Sequence, residues 1–118
     1  MKAHPVLDPL IPLAAYRAVD FSANNPFWGD APLEVDRCQA YLNEFLRASG
    51  GQVGWGGYLE KRNLYRGFDN FNPDAKQARE YHLGVDFWAA AGTGVYAPWE
   101  GSIHSWSDRT TPGDYGPV

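Results

Sequence analysis

The 118 residues are enough for one small globular domain, because 44% of them are hydrophobic and 15% are aromatic. The formal net charge is -4 and the ten lysines and arginines are scattered, so the sequence offers no basic surface for neutralising phosphates and excludes nucleic acid as a partner. Cys38 is the only cysteine, which excludes an intrachain disulfide and a zinc cluster built on this chain's cysteines.

The N-terminal segment lacks the features of an export signal. Prolines and aspartates interrupt it before any apolar core or small-residue cleavage site. No run in the chain approaches the roughly 20 apolar residues that span a bilayer. The sequence therefore predicts no signal peptide and no membrane span, which by default indicates the cytoplasm.

Residues 1–30 are rich in proline, asparagine and aspartate, with apolar side chains such as Leu10 and Tyr16 between them. This composition predicts an irregular, proline-rich N-terminal arm that packs on the rest of the domain through its apolar residues. The remaining residues, 31–118, are predicted to form the domain itself.

Residues 32–48 are predicted to form one amphipathic helix. Asp30 is a plausible cap, Pro32 falls in the first turn, and Gly50 with Gly51 marks the end. The opposite face is polar, so one side of the helix should be buried. The expected buried face comprises Val35, Cys38, Tyr41, Leu42, Phe45 and Leu46.

From about residue 52 onwards the pattern predicts a sheet. A glycine-punctuated run at 53–59 is followed by a polar loop at 69–79 and then by three candidate strands, 82–88, 94–97 and 102–106. Turn residues separate the strands at the spacing of an antiparallel meander. The predicted fold class is thus mainly β (α+β), and the turn-rich end of the chain would leave a sheet edge unpaired, which favours a fragment or a partner that supplies further strands.

His82 and Asp86 are the candidate metal ligands, since imidazole and carboxylate both suit Zn²⁺. On a straight strand two residues four positions apart are separated by about 13 Å, too far to bind one ion. Gly84 lies between them and permits the bend that would bring them together. Spacing alone supports equally a second interpretation, in which both side chains only fix loop geometry by hydrogen bonding.

A catalytic zinc site normally needs a third protein ligand. His104 is the only other histidine in the sheet region, and its alternation with Ile103 and Ser105 indicates a half-exposed strand residue rather than a ligand.

The run Tyr-His-Leu-Gly-Val-Asp-Phe-Trp-Ala-Ala-Ala-Gly-Thr-Gly-Val-Tyr-Ala-Pro at residues 81–98 resembles the M23 peptidase family, the lysostaphin-like zinc endopeptidases. Residues 100–104 fit the hairpin that follows in that family, and Gly-Asp-Tyr-Gly at 113–116 resembles its Gly-Tyr-Gly turn. Upstream, Gly-Gly-Tyr-Leu-Glu-Lys-Arg at 56–62 is similar to a lead-in found in one branch of the family.

The resemblance implies a partial antiparallel sheet of the M23 type over residues 31–118, with His82 and Asp86 as zinc ligands. It implies hydrolysis of peptides, usually peptidoglycan cross-links, by proteins that are often secreted or in the cell envelope. The family's third ligand is the second histidine of a downstream His-x-His motif, which this chain lacks, so the chain alone is expected to be inactive. Two alternatives stay open: a non-catalytic module that binds peptide or glycan, and a site completed by missing C-terminal strands or by a second copy in a homodimer.

Trp88, Tyr96 and Arg62 are the candidate residues of a substrate groove. Aromatic residues on strands more often belong to the core, which is the favoured interpretation for Trp88 and Tyr96, and also for Trp106. For Arg62 the favoured interpretation is a surface salt bridge with Glu60.

Overall fold

The computed structural model describes residues 2–29, 34–62, 81–111 and 116–118. Its elements are a 3-10 helix Leu13–Ala15, the helix α1 Val35–Ser49, and the strands β1 Tyr16–Ala18, β2 Val53–Gly56, β3 Glu60–Lys61, β4 Tyr81–His82, β5 Asp86–Trp88, β6 Asp108–Arg109 and β7 Gly116–Pro117. One helix with mostly antiparallel strand pairs agrees with the predicted mainly β or α+β class. The predicted polar loop at 69–79 lies outside the described residues. Within the described ranges, no helix combines the length and apolarity that crossing a bilayer requires.

The helix α1 ends where the sequence predicts. Gly50 adopts a left-handed conformation with φ of 66°, and its N–H returns to the carbonyls of Arg47 and Leu46, which closes the last turn. Leu42 is buried, and the predicted apolar face packs on the core through Cys38, Tyr41 and Phe45. The prediction is wrong for Val35, the first residue of the helix, which is 84% exposed. The predicted start at residue 32 is wrong: Glu34 has extended backbone angles and is the N-cap, so the helix begins at Val35. The predicted cap, Asp30, lies outside the described residues.

The central sheet has the strand order β1-β2-β5. β1 runs parallel to β2, with Tyr16 opposite Val53, and β2 runs antiparallel to β5, with Gly54 opposite Trp88. Two further pairs, β3 with β4 and β6 with β7, are antiparallel. The sheet therefore begins close to the predicted residue 52, but it also takes a strand from the N-terminal segment.

The prediction of an irregular N-terminal arm is wrong for residues 13–18, which form the 3-10 helix and β1. The same segment supplies much of the core. Val19, Phe21 and Trp28 form one buried cluster with Leu42 of α1. Trp28 is 1% exposed, with its ring stacked on Phe21 at 5.2 Å between centroids. The stretch 19–28 thus contributes three side chains to the domain's core.

Two of the predicted meander strands differ from the structure. Residues 94–97 form only an isolated bridge, Leu7 with Val95, so this stretch pairs with the N-terminal segment. Residues 102–106 are exposed and have no strand assignment, and the short pair β6 with β7 follows them. Alternating apolar residues form a strand only where a partner strand satisfies the backbone, and no described residue pairs with this stretch.

Candidate functional site

A matched pair of bends creates the candidate site. Gly56 pairs with Asp86 at one end of the β2–β5 ladder, and Glu60 pairs with His82 in the β3–β4 ladder. Both ladders have the same register, so they are two halves of one antiparallel pair that is interrupted at residues 57–59 on one side and at 83–85 on the other. The bend predicted at Gly84 is confirmed. It separates the end of β4 from the start of β5.

The bend brings the two candidate ligands together. Nε2 of His82 lies 3.3 Å from Oδ1 of Asp86, whereas a straight strand would hold these residues about 13 Å apart. Both side chains are partly exposed, at 19% and 34%. The structure thus confirms the predicted convergence of the two side chains.

The backbone of Gly57 fixes the orientation of the imidazole. Nδ1 of His82 lies 2.9 Å from the carbonyl oxygen of Gly57. A carbonyl can only accept, so Nδ1 carries the proton and Nε2 is the atom that faces Asp86. Two arrangements satisfy this contact: an imidazolium that donates from Nε2, or a neutral ring whose Nε2 lone pair shares a cation with Oδ1.

Position 57 requires glycine, because neighbouring side chains leave no room for a Cβ. Its φ is 99°, a region that L side chains rarely adopt, and a Cβ built there would lie 2.7 Å from Nδ1 of His82 and would collide with Nη2 of Arg62. Its carbonyl also accepts the N–H of Glu60 at 3.0 Å, which closes the turn between β2 and β3. A side chain at this position would displace the groups that form the site.

Arg62 lies beneath the site and is buried. It is 7% exposed, which makes the predicted surface salt bridge with Glu60 wrong in its location, although the pair itself exists. Nε donates to Glu60 at 2.6 Å and Nη1 donates to Oδ2 of Asp86 at 2.8 Å. The guanidinium also lies over the rings of Phe21 and Trp88, at 5.7 and 5.9 Å from their centroids. Aromatic residues enclose this cation and two carboxylates neutralise it.

A cavity of about 400 Å³ opens beside Asp86 between α1 and β5. Its walls include Trp88 and Arg62, two of the three residues predicted for a groove. Trp88 also packs on the core at 4.9 Å from the ring of Phe21, so it belongs to core and cavity wall together. The remaining lining residues are Phe21, Val35, Cys38, Gln39, Leu42, Asp86 and Phe87.

The third predicted groove residue, Tyr96, lies elsewhere. Its ring contacts His4 at 5.1 Å between centroids, and together they line a separate cavity near the N-terminus. His104 is exposed and its Nδ1 lies 3.1 Å from the hydroxyl of Ser105. Tyr96 is 44% exposed and Trp106 is 81% exposed, so the predicted core position is wrong for both residues.

Cys38 faces the first cavity from α1. Burial raises the pKa of its thiol above the ordinary value, and the nearby guanidinium groups of Arg62 and Arg37 oppose that shift. At neutral pH the thiol is therefore protonated and a weak nucleophile.

The donor set fits a zinc ion in two respects. Ligands bound at roughly 2.0–2.1 Å in a tetrahedral arrangement lie about 3.3 Å apart, which is the separation of Nε2 of His82 and Oδ1 of Asp86. Because Nδ1 donates its hydrogen to Gly57, the lone pair of Nε2 is available to bind a metal, the usual arrangement for a metal-binding histidine. Among the described residues, however, no group of three or more His, Cys, Asp or Glu side chains lies close enough together to hold a metal ion.

Gly57 is a site residue that the sequence did not single out, and Glu60 was predicted only as the partner of Arg62 in a surface salt bridge. The signal was present in the Gly-Gly-Tyr-Leu-Glu-Lys-Arg lead-in, where a glycine pair precedes a Glu-x-Arg sequence. Their role depends on the register of Glu60 opposite His82, which joins segments that are distant in sequence.

Comparisons with protein-family models, with curated proteins and with solved structures give no match for this chain. The function is therefore inferred from the geometry of the site and from the sequence motif around it.

Proposed function

We propose that His82 and Asp86 are two ligands of a zinc site in a metallopeptidase of the M23 type. The observation that carries the proposal is the 3.3 Å approach of Nε2 and Oδ1 across a bend, with Nδ1 already bonded to the carbonyl of Gly57. The Tyr-His-Leu-Gly-Val-Asp run at residues 81–86 supports it through its resemblance to the family. The proposed substrates are peptides, with the cross-links of peptidoglycan as the leading class.

Electrostatics support binding of a cation at this position. Glu60 and Asp86 contribute two negative charges and Arg62 contributes one positive charge, so the cluster carries a net charge of -1 when His82 is neutral. Oδ2 of Asp86 is engaged by Arg62, which leaves Oδ1 facing the imidazole. This negative charge attracts a cation to the space between Nε2 and Oδ1, and a divalent ion there would change the net charge of the cluster from -1 to +1.

In the proposed enzyme, zinc at these ligands would supply a Lewis acid for the scissile carbonyl of a peptide. The chain's own residues hold and orient the ligands: Gly57 fixes the imidazole, and Arg62 holds the carboxylate. Catalytic sites normally use three protein ligands, so we propose that this chain alone is inactive and that the third ligand comes from further strands or from a second copy in a homodimer.

The test is a zinc titration followed by NMR of the histidine side chains, which detects weak binding as well as tight binding. We expect the ring signals of His82 to respond first, and His82→Ala or Asp86→Ala to abolish that response. The matched control is His104→Ala, which should leave the response unchanged. Binding should weaken as the pH is lowered, because protons compete for Nε2.

A response confined to His4 or His104 would contradict the proposed ligands. Loss of the His82 response in His104→Ala would show that His104 is the third ligand. A zinc-dependent dimer in sedimentation experiments would support completion of the site by a second copy.

A second candidate function is a non-catalytic module that binds peptide or glycan. The cavity beside Asp86 favours it, because its wall combines the aromatic Trp88 and Phe21 with the polar side chain of Gln39. Soluble peptidoglycan fragments distinguish the two. Binding that persists in a folded Asp86→Ala variant and in the presence of a chelator would favour the module, whereas binding or cleavage that requires zinc would favour the enzyme.

A further inference from the structure

We infer that Arg62 is a positioning residue that presents Asp86 to the cation as a one-oxygen ligand. The inference rests on the proposed function, because it concerns the same two ligands. Its basis is the division of the Asp86 carboxylate: Oδ2 accepts from Nη1 of Arg62 at 2.8 Å, while Oδ1 faces Nε2 of His82 at 3.3 Å.

The position of Arg62 is itself held from several sides. Nε donates to Oε1 of Glu60 at 2.6 Å, and Oε2 of Glu60 accepts the backbone N–H of Phe21 at 3.2 Å. The guanidinium carbon lies over the aromatic rings of Phe21 and Trp88. A planar fork held at Nε and over both rings can set the direction of Nη1 closely.

Arg62 also prevents the carboxylate of Asp86 from adopting other rotamers. Asp86 is 34% exposed, so without a partner its side chain would exchange among rotamers and face water. With Nη1 bonded to Oδ2, only Oδ1 is directed at the imidazole. Arg62 thus acts on the carboxylate as the Gly57 carbonyl acts on the imidazole, and the site has a fixed partner behind each ligand.

Arg62 does not fit a direct role in binding substrate. Its side chain is 7% exposed, and Nη2 is fully enclosed and has no hydrogen-bond partner among the described residues. Nη2 lies against Gly57, where a Cβ would collide with it. The guanidinium therefore contacts Glu60, Asp86 and Gly57 and does not face solvent.

The test compares Arg62→Met with Arg37→Met. Arg37 is a matched control because its guanidinium also lies over two rings, those of Phe27 and Trp28, but it donates to backbone carbonyls and not to a carboxylate. Two quantities are measured on each folded variant: the χ1 rotamer populations of Asp86 from three-bond couplings in the metal-free chain, and the zinc affinity from the His82 ring signals.

We expect Arg62→Met to average the Asp86 rotamers and to weaken zinc binding roughly 10- to 100-fold, the range found when a partner of a metal ligand is removed. Arg37→Met should change neither quantity. Arg62→Lys keeps a cation but cannot hold both carboxylates in one plane, so it should bind zinc with an affinity between those of the wild type and Arg62→Met.

A folded Arg62→Met variant with a single Asp86 rotamer and wild-type zinc affinity would overturn the inference. Where Arg62→Met fails to fold, Arg62→Lys carries the test: averaged rotamers support the inference and a wild-type rotamer overturns it. The proposed function fails separately, and is recognised by a wild-type chain whose His82 signals do not respond to zinc while the Asp86 rotamer still depends on Arg62.

Discussion

Replacement of Gly57 by alanine tests the geometry of the site most sharply. The substitution places a Cβ at a φ of 99° and 2.7 Å from Nδ1 of His82, and the same atom collides with Nη2 of Arg62. A residue forced into a sparsely populated backbone region costs about 1–3 kcal/mol. Overpacking a filled site costs about 1–3 kcal/mol in addition, because neither Arg62 nor His82 can move without breaking its hydrogen bonds.

Gly92→Ala separates these two contributions. Gly92 has a similar φ of 88°, but a Cβ at this position would meet nothing within 4 Å. This variant should therefore lose only the backbone contribution. Urea denaturation followed by tryptophan fluorescence gives the free energy of unfolding for both variants, and we expect Gly57→Ala to be less stable than Gly92→Ala by about 1–3 kcal/mol.

Zinc binding provides the second readout of this comparison. Gly57→Ala should weaken the response of His82 to zinc, because the carbonyl that orients the ring is displaced, and Gly92→Ala should not. Equal stability and equal zinc response in the two variants would refute the claim that Gly57 is required by the contacts of Arg62 and His82.

Three further predictions concern the core and the surface. Trp28→Ala should destabilise the fold by about 3–5 kcal/mol, since this ring is 1% exposed, whereas Trp106→Ala should change the free energy of unfolding by less than about 0.5 kcal/mol, as measured by urea denaturation. Alkylation of Cys38 by iodoacetamide should be slow at neutral pH, because burial raises the pKa of its thiol and less thiolate is present. The rate should reach half its maximum at a higher pH than for a free cysteine. A pH profile equal to that of free cysteine would contradict this prediction. The hydrogen bond from Arg47 holds the pKa of Glu44 below its usual range, so Arg47→Ala should return that pKa upwards in an NMR titration, and an unchanged value would show that the pair does not form in solution.

The helix and the bend could be predicted from local sequence because local residues determine them. Gly50 terminates α1 in the left-handed conformation that glycine adopts most readily. Gly84 lies in the bend that brings His82 to Asp86. In both cases the residue that permits the conformation is at the position where it is needed.

The N-terminal strand and the exposed stretch at 102–106 show where local patterns fail. β1 is three residues long in proline-rich surroundings, and its pairing depends on Val53, far along the chain. Residues 102–106 alternate like a strand, but no described residue pairs with them. Strand formation depends on a partner, and the alternation of one segment carries no information about that partner.

The burial of Arg62 could not be predicted from the residues next to it in the sequence. Its neighbours Glu60 and Lys61 are charged, which is typical of a surface segment. The enclosure comes from the rings of Phe21 and Trp88, which belong to distant parts of the chain. The sequence therefore predicted the two candidate ligands but not the side chain that supports one of them.

The most direct test of the zinc pair is a crystal structure of the chain grown with zinc, with diffraction recorded on both sides of the zinc absorption edge. We expect an anomalous peak between Nε2 of His82 and Oδ1 of Asp86, with Nδ1 still hydrogen-bonded to the carbonyl of Gly57. A zinc peak only at His4 or His104, with Nε2 of His82 donating to Asp86 as an imidazolium, would contradict this expectation.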